Sequence, residues 1–105
     1  VDGYSVLGPW LVTADDIPDP DNLDFEIQVN GEVRQKANTS DLIYDCRRLI
    51  EYASSFYTLY PGDVIMTGTP EGVGPVEPGD VMHCYAEKIG RMDVAVRAAA
   101  AVRAA

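Results

Sequence analysis

The chain has 105 residues, of which 47% are hydrophobic, and a formal net charge of −9 at pH 7. That length suits one small domain or a piece of a larger one, and the apolar content argues against wholesale disorder. The acidic balance excludes nucleic acid as an expected partner, because phosphate binding needs clustered Lys and Arg. No apolar run approaches the roughly 20 residues of a membrane-spanning helix, and no basic-plus-apolar leader is seen, so a cytoplasmic protein with no membrane partner is expected. The start at Val1 rather than Met suggests a chain missing its beginning.

Residues 1–33 hold eight Asp or Glu and no Lys or Arg. They read either as a solvated acidic surface or as charge that a divalent cation could neutralise. Gly8-Pro9-Trp10-Leu11-Val12-Thr13 is a turn leading into a short extended apolar piece. Ile17 to Leu23 contains Pro18 and Pro20, which remove donors and push their predecessors toward extended backbone. An ordered surface loop is expected there.

Phe25, Ile27 and Val29 alternate with Glu26, Gln28 and Asn30, the period of a half-buried strand. Asn30-Gly31 is a two-residue hairpin turn, since both residues tolerate positive φ. The return strand is expected over Glu32 to Gln35, with Val33 inward. Asn38-Thr39-Ser40-Asp41 offers helix caps. Leu42, Cys46, Leu49, Ile50, Ala53 and Phe56 then follow helical spacing, which predicts one main helix over about residues 41–56. Arg47, Arg48 and Glu51 lie off the stripe, on a solvated face or at a partner surface.

A local echo comes next. Tyr60-Pro61-Gly62-Asp63-Val64-Ile65-Met66 resembles Glu77-Pro78-Gly79-Asp80-Val81-Met82-His83. In each, Pro-Gly suits the centre of a type II turn, and apolar residues then begin a strand. Two further strands are expected over Met82 to Ile89 and Met92 to Arg97, joined by a turn near Gly90-Arg91. Ala98 to Ala105 is an Ala-rich tail. The sum is a mostly β chain with one helix, an α+β domain built on a rolled mixed sheet. Cys46 and Cys84 lack C-x-x-C spacing and read as buried free thiols.

The loop from Thr67 to Gly74 carries the clearest chemistry. Thr67 and Thr69 offer hydroxyls, and the Gly68 amide permits close approach, a set suited to a small carboxylate. It is not a phosphate loop, because no Lys follows its glycines. The plainer alternative is an ordinary structural loop with a buried Thr. His83 is the single imidazole and reads as structural. Ser40, Ser54 and Ser55 lack a nucleophile elbow. Asp15-Asp16 and Asp19-x-Asp21 lack the glycine and glutamate of a calcium loop. No catalytic residue and no metal ligand is assigned within the chain.

Several long segments, taken together, resemble the C-terminal portion of the fumarylacetoacetate hydrolase family. They are Leu7 to Thr13, Ile17 to Pro20, Val29 to Gln35, Asn38 to Ile43 and Pro61 to Gly74, which occur in family order and span about residues 2–97. The resemblance is to smaller bacterial members acting on acylpyruvates and on hydroxy-diene-dioates of aromatic catabolism. It implies a β-roll, a homodimer, and Mg²⁺ or Mn²⁺ chemistry on 2-oxo or 1,3-dicarbonyl acids through a metal-stabilised enolate. In the family the metal is held by a Glu-x-Glu pair and an Asp, assisted by a Lys.

No Glu-x-Glu occurs in this chain, and the matching positions of those ligands and the Lys fall upstream of Val1. The resemblance therefore implies a catalytic-domain portion at 1–97 that binds no metal alone and is by itself inactive. The last Thr of Thr67-Gly68-Thr69 matches the residue that contacts the substrate carboxylate. Asp2 matches an acidic position at the site's edge, and Arg34 and Gln35 match a recurrent motif, all without an assigned role. A non-catalytic β-domain for dimerisation or ligand binding is the alternative reading.

Overall fold

The computed structural model describes residues 5–99. Asp2 and most of the Ala-rich tail thus lie outside the described residues. Four strands form one sheet: β1 (Asp24–Val29), β2 (Glu32–Asn38), β3 (Val81–Ala86) and β4 (Gly90–Ala95). Their spatial order is β2-β1-β3-β4, and every neighbouring pair is antiparallel. The expected mixed sheet is corrected accordingly. Hairpins join β1 to β2 and β3 to β4, and both tight connections enforce antiparallel pairing. A 3₁₀ turn (Thr39–Asp41) and helix α1 (Cys46–Phe56) come after β2.

Cross-strand partners share a face of the sheet. Phe25, Ile27 and Val29 pair with Ala86, Cys84 and Met82 of β3, which brings the apolar residues onto one side. Met92 and Val94 extend that side through β4. Glu26, Gln28, Tyr85, His83, Arg91 and Asp93 occupy the other, polar side. Among the described residues only Leu23, Val29 and Gln35 are buried.

The Asn30-Gly31 turn forms as its residue types require, with φ of 52° and 86°. The return strand does not keep simple alternation. Ile27 pairs with Gln35 while Gln28 pairs with Val33, so Arg34 is an extra residue, a β-bulge. The bulge turns Gln35 inward at 8% exposure, while the two-residue turn sets Val33 opposite Gln28 on the other face, at 48% exposure. Val33 is therefore corrected from inward to outward.

The helix also begins later than its apolar spacing suggests. Asn38 accepts from the Ser40 amide and donates to Asp24, and Asp41 accepts from the Asn38 amide, a capping box that closes after the 3₁₀ turn. Leu42 then leaves helical backbone. Asp45 starts α1 by accepting from the Arg48 amide, and Asp21 accepts from the Cys46 amide. Leu42, Cys46, Leu49 and Ala53 are half-buried, whereas Ile50 and Phe56 are exposed. Within α1, Arg48 and Glu51 form a solvated ion pair at 2.9 Å.

The two Pro-Gly segments fold alike at their turns. Asp63 and Asp80 donate their amides to Tyr60 and Glu77 carbonyls, and their carboxylates accept the Tyr60 and Glu77 amides. Gly62 and Gly79 take φ of 94° and 95°, as the third position of a type II turn demands. The second copy is also tied to the β1–β2 hairpin, since Asn30 donates to Asp80 and accepts from the Val81 amide. The Glu77 amide first, and the Asn30 side chain second, hold the Asp80 carboxyl below its ordinary pKa.

Beyond the two turns the segments diverge. Val81 enters β3, but Val64, Ile65 and Met66 form no strand and are exposed. A strand needs a neighbour to take its amides and carbonyls, and no described strand pairs with 64–66. The expected strand there is corrected to an unpaired segment. The β3–β4 turn falls at Glu87–Ile89, earlier than the expected Gly90-Arg91, with Lys88 at φ 63°. No helix among the described residues is long and apolar enough to cross a membrane.

Candidate functional site

The glycine-rich loop lies against the bulge of β2. Gln35 Nε2 donates to Thr69 Oγ1 and to the Pro70 carbonyl, both at 2.7 Å. Arg34 Nη1 donates to the Pro75 carbonyl at 3.2 Å. Gly72 sits so close to the bulge that a Cβ there would lie 2.0 Å from the Arg34 carbonyl oxygen. Its φ of 103° is also one that L side chains rarely adopt. Only glycine fits at that point, and the loop closes onto the bulge because of it.

Thr67, Gly68 and Thr69 line one cleft of about 360 Å³. Other walls come from Phe25 and Ala37 of the sheet, the 3₁₀ turn, Leu42 to Tyr44, and Leu49 of α1. All three residues expected to bind a ligand are therefore brought together. Gly68 has φ of 98° and open space where a Cβ would project, so its backbone is accessible. Among the described residues no protein group accepts the Thr69 hydroxyl proton.

Other polar residues have structural roles. His83 Nδ1 lies 2.7 Å from Asp93 Oδ1 on the polar face of the sheet. The acidic loop holds itself together: Asp19 accepts from the Asp21 amide, and Asp21 accepts from the helix. Thr39 fixes the same loop, donating to the Pro20 carbonyl and accepting from the Leu23 amide. Among the described residues no group of three His, Cys, Asp or Glu side chains could hold a metal ion. The loop's donors suit an anion.

Cys46 and Cys84 are free and half-buried rather than fully buried. Desolvation is the largest influence on each and raises both thiol pKa values. Asp21 adds to the rise at Cys46, and Asp93 adds to it at Cys84. Neither thiol is prepared to act as a nucleophile.

Residues 1–97 match the family profile described as fumarylacetoacetate (FAA) hydrolase C-terminal. The chain belongs to this family. It is 62% identical over 96 residues to the maleylpyruvate hydrolase of Aquipseudomonas alcaligenes, covering 91% of this chain and 33% of that protein. It is 46% identical over 91 residues to the 4-hydroxyphenylacetate degradation bifunctional isomerase/decarboxylase of Salmonella dublin, covering 87% of this chain and 21% of that one. Among solved structures it resembles maleylpyruvate hydrolase from Sphingobium sp. SYK-6 in complex with manganese(II) and pyruvate. The TM-score is 0.84 at 51% identity, covering 86% of this chain and 34% of that one. The chain thus spans about a third or less of these relatives' lengths.

The sequence left Arg34 and Gln35 without a role, and the structure places both under the loop. The available signal was a glutamine inside a strand that otherwise sends polar residues outward. Without the bulge, that signal had no direction.

Proposed function

We propose that this chain supplies the carboxylate-holding wall of a metal-dependent enzyme acting on small 2-oxo or 1,3-dicarbonyl carboxylic acids in aromatic-compound catabolism. The reaction class is C–C bond hydrolysis, isomerisation or decarboxylation. The observation that carries this reading is the Thr69 hydroxyl, held by Gln35 on its acceptor side and lining the cleft beside the accessible Gly68 backbone. A hydroxyl so held offers its proton to a ligand oxygen, and a charged acceptor strengthens that bond. Thr67 and Gly68 line the same cleft and share the anion.

In this reading Mg²⁺ or Mn²⁺ is held by groups outside the described residues and supplies electrophilic stabilisation of the reacting oxo acid. The Sphingobium relative, crystallised with manganese and pyruvate, supports a divalent ion and an oxo-acid ligand. The residues here bind and orient the carboxylate end. The remaining proposals are a β-roll completed by sequence beyond this chain, a homodimer, a cytoplasmic location, and no turnover by this segment alone.

The test is the full-length protein assayed with Mn²⁺ or Mg²⁺ and a panel of acylpyruvates, beside this segment alone. Turnover by the former and none by the latter is expected. Metal-independent turnover by the segment overturns the assignment. The alternative, a non-catalytic β-domain for dimerisation or ligand binding, draws on Leu11 and Ile43, which are 90% and 92% exposed. It gains if the full-length protein binds oxo acids without converting them.

A further inference from the structure

We propose that Gln35 is the positioning residue that sets the direction of the Thr69 hydroxyl, and so the affinity of the cleft for a carboxylate. This rests on the proposed function of the cleft. Pro70 O can only accept a hydrogen bond, so the Gln35 atom 2.7 Å from it must be the amide nitrogen. That nitrogen carries two protons. One goes to Pro70 O, and the other goes to Thr69 Oγ1 at the same distance. Thr69 is therefore an acceptor toward Gln35, and its own proton must point elsewhere. The cleft is the space that its loop faces.

Three features make the device specific. Gln35 is 8% exposed, so its rotamer is fixed by packing. The bulge at Arg34 turns it inward. Gly72 presses the loop onto the Arg34 carbonyl, which keeps Thr69 and Pro70 within reach. A buried glutamine is unfavourable unless its amide is satisfied, and here both amide protons are given to the loop. Gln35 acts through Thr69 and touches no ligand itself.

Gln35→Glu tests the idea. A carboxylate offers no proton, so it repels Pro70 O and draws the Thr69 proton away from the cleft. Full-length enzyme with Mn²⁺ and an acylpyruvate is measured as wild type, Gln35→Glu, Thr69→Val and the double variant. In Gln35→Glu, KM is expected to rise about tenfold with kcat held within about threefold, the signature of lost uniform binding. The double variant should be no more than about twofold worse than Thr69→Val, because the two residues act as one unit. An unchanged KM, or fully additive losses, overturns the proposal. Gln35→Met keeps the volume and replaces Gln35→Glu if that variant does not fold.

A second readout is independent of substrate. Both Gln35 side-chain amide protons should be protected from exchange by NMR in wild type, and in Thr69→Val the one bonded to Thr69 should lose its protection while the one bonded to the Pro70 carbonyl keeps it. Free exchange in wild type overturns the link. If wild type turns over no acylpyruvate, the functional reading fails, while the amide signal still decides whether Gln35 holds Thr69.

Discussion

Gln35 and Thr69 are 34 positions apart in the chain and 2.7 Å apart in space. One lies just after a bulge in a strand, and the other in a loop with no regular structure. The bond joins the buried side of the sheet to the wall of the cleft.

Thr69→Val removes a hydroxyl from that wall with little change in volume. Loss of a hydrogen bond to a charged group is worth about 1.5–3 kcal/mol, so KM for a carboxylate substrate should rise roughly 10- to 100-fold. Thr69→Ser keeps the hydroxyl and should stay within about threefold of wild type, a margin set by its freer rotor. Steady-state kinetics of the full-length enzyme check both. A Thr69→Val enzyme with unchanged KM removes Thr69 from the binding site.

Gly72 and Gly68 both have positive φ, but their surroundings differ. At Gly72 an added Cβ meets backbone at 2.0 Å, whereas at Gly68 it meets nothing within 4 Å. Gly72→Ala should destabilise by about 2–4 kcal/mol, because backbone strain adds to a clash that the loop must move to relieve. Gly68→Ala should lose only about 1 kcal/mol, the left-handed backbone term alone. Denaturant midpoints rank the two, and equal effects contradict the close approach at Arg34.

The acid limb of stability should depend on Asp80. Its carboxyl is held below the ordinary value of 3.8 by the Glu77 amide first and the Asn30 side chain second. A depressed folded-state pKa contributes stability that is fully present above the unfolded value and is lost as pH falls through the folded one. Asp80→Asn should flatten the fall in stability below about pH 4, where that carboxyl would otherwise take up its proton. Urea midpoints at pH 7 and pH 3 for both proteins give the comparison, and an identical acid limb contradicts the role.

Cys46 and Cys84 should react slowly with iodoacetamide at pH 7.5. Raised pKa values leave less thiolate than a free cysteine has, and the thiolate is the reactive form. Cys84→Ala should retain turnover. Rapid labelling at either position contradicts the burial that raises the thiols.

Local elements were largely legible. The β1 alternation, the Asn30-Gly31 turn and the paired Pro-Gly turns all depend on residues close in sequence, and each formed where its residue types require. The helix was legible in its stripe but not at its start, because the Asn38–Asp41 box and the Asp45 cap compete for the same segment. Val64 to Met66 misled because apolar residues after a turn promise a strand only if a neighbouring strand accepts them.

Composition and short-range pattern by themselves determined the α+β class, the hairpins and the choice of Thr67, Gly68 and Thr69, since turn chemistry and side-chain donors are local properties. The tertiary structure alone decided which of those donors is held in place and by what. A bulge reverses the facing of every residue beyond it, so one extra residue put Gln35, rather than Arg34, opposite Ile27 on the buried side under the loop.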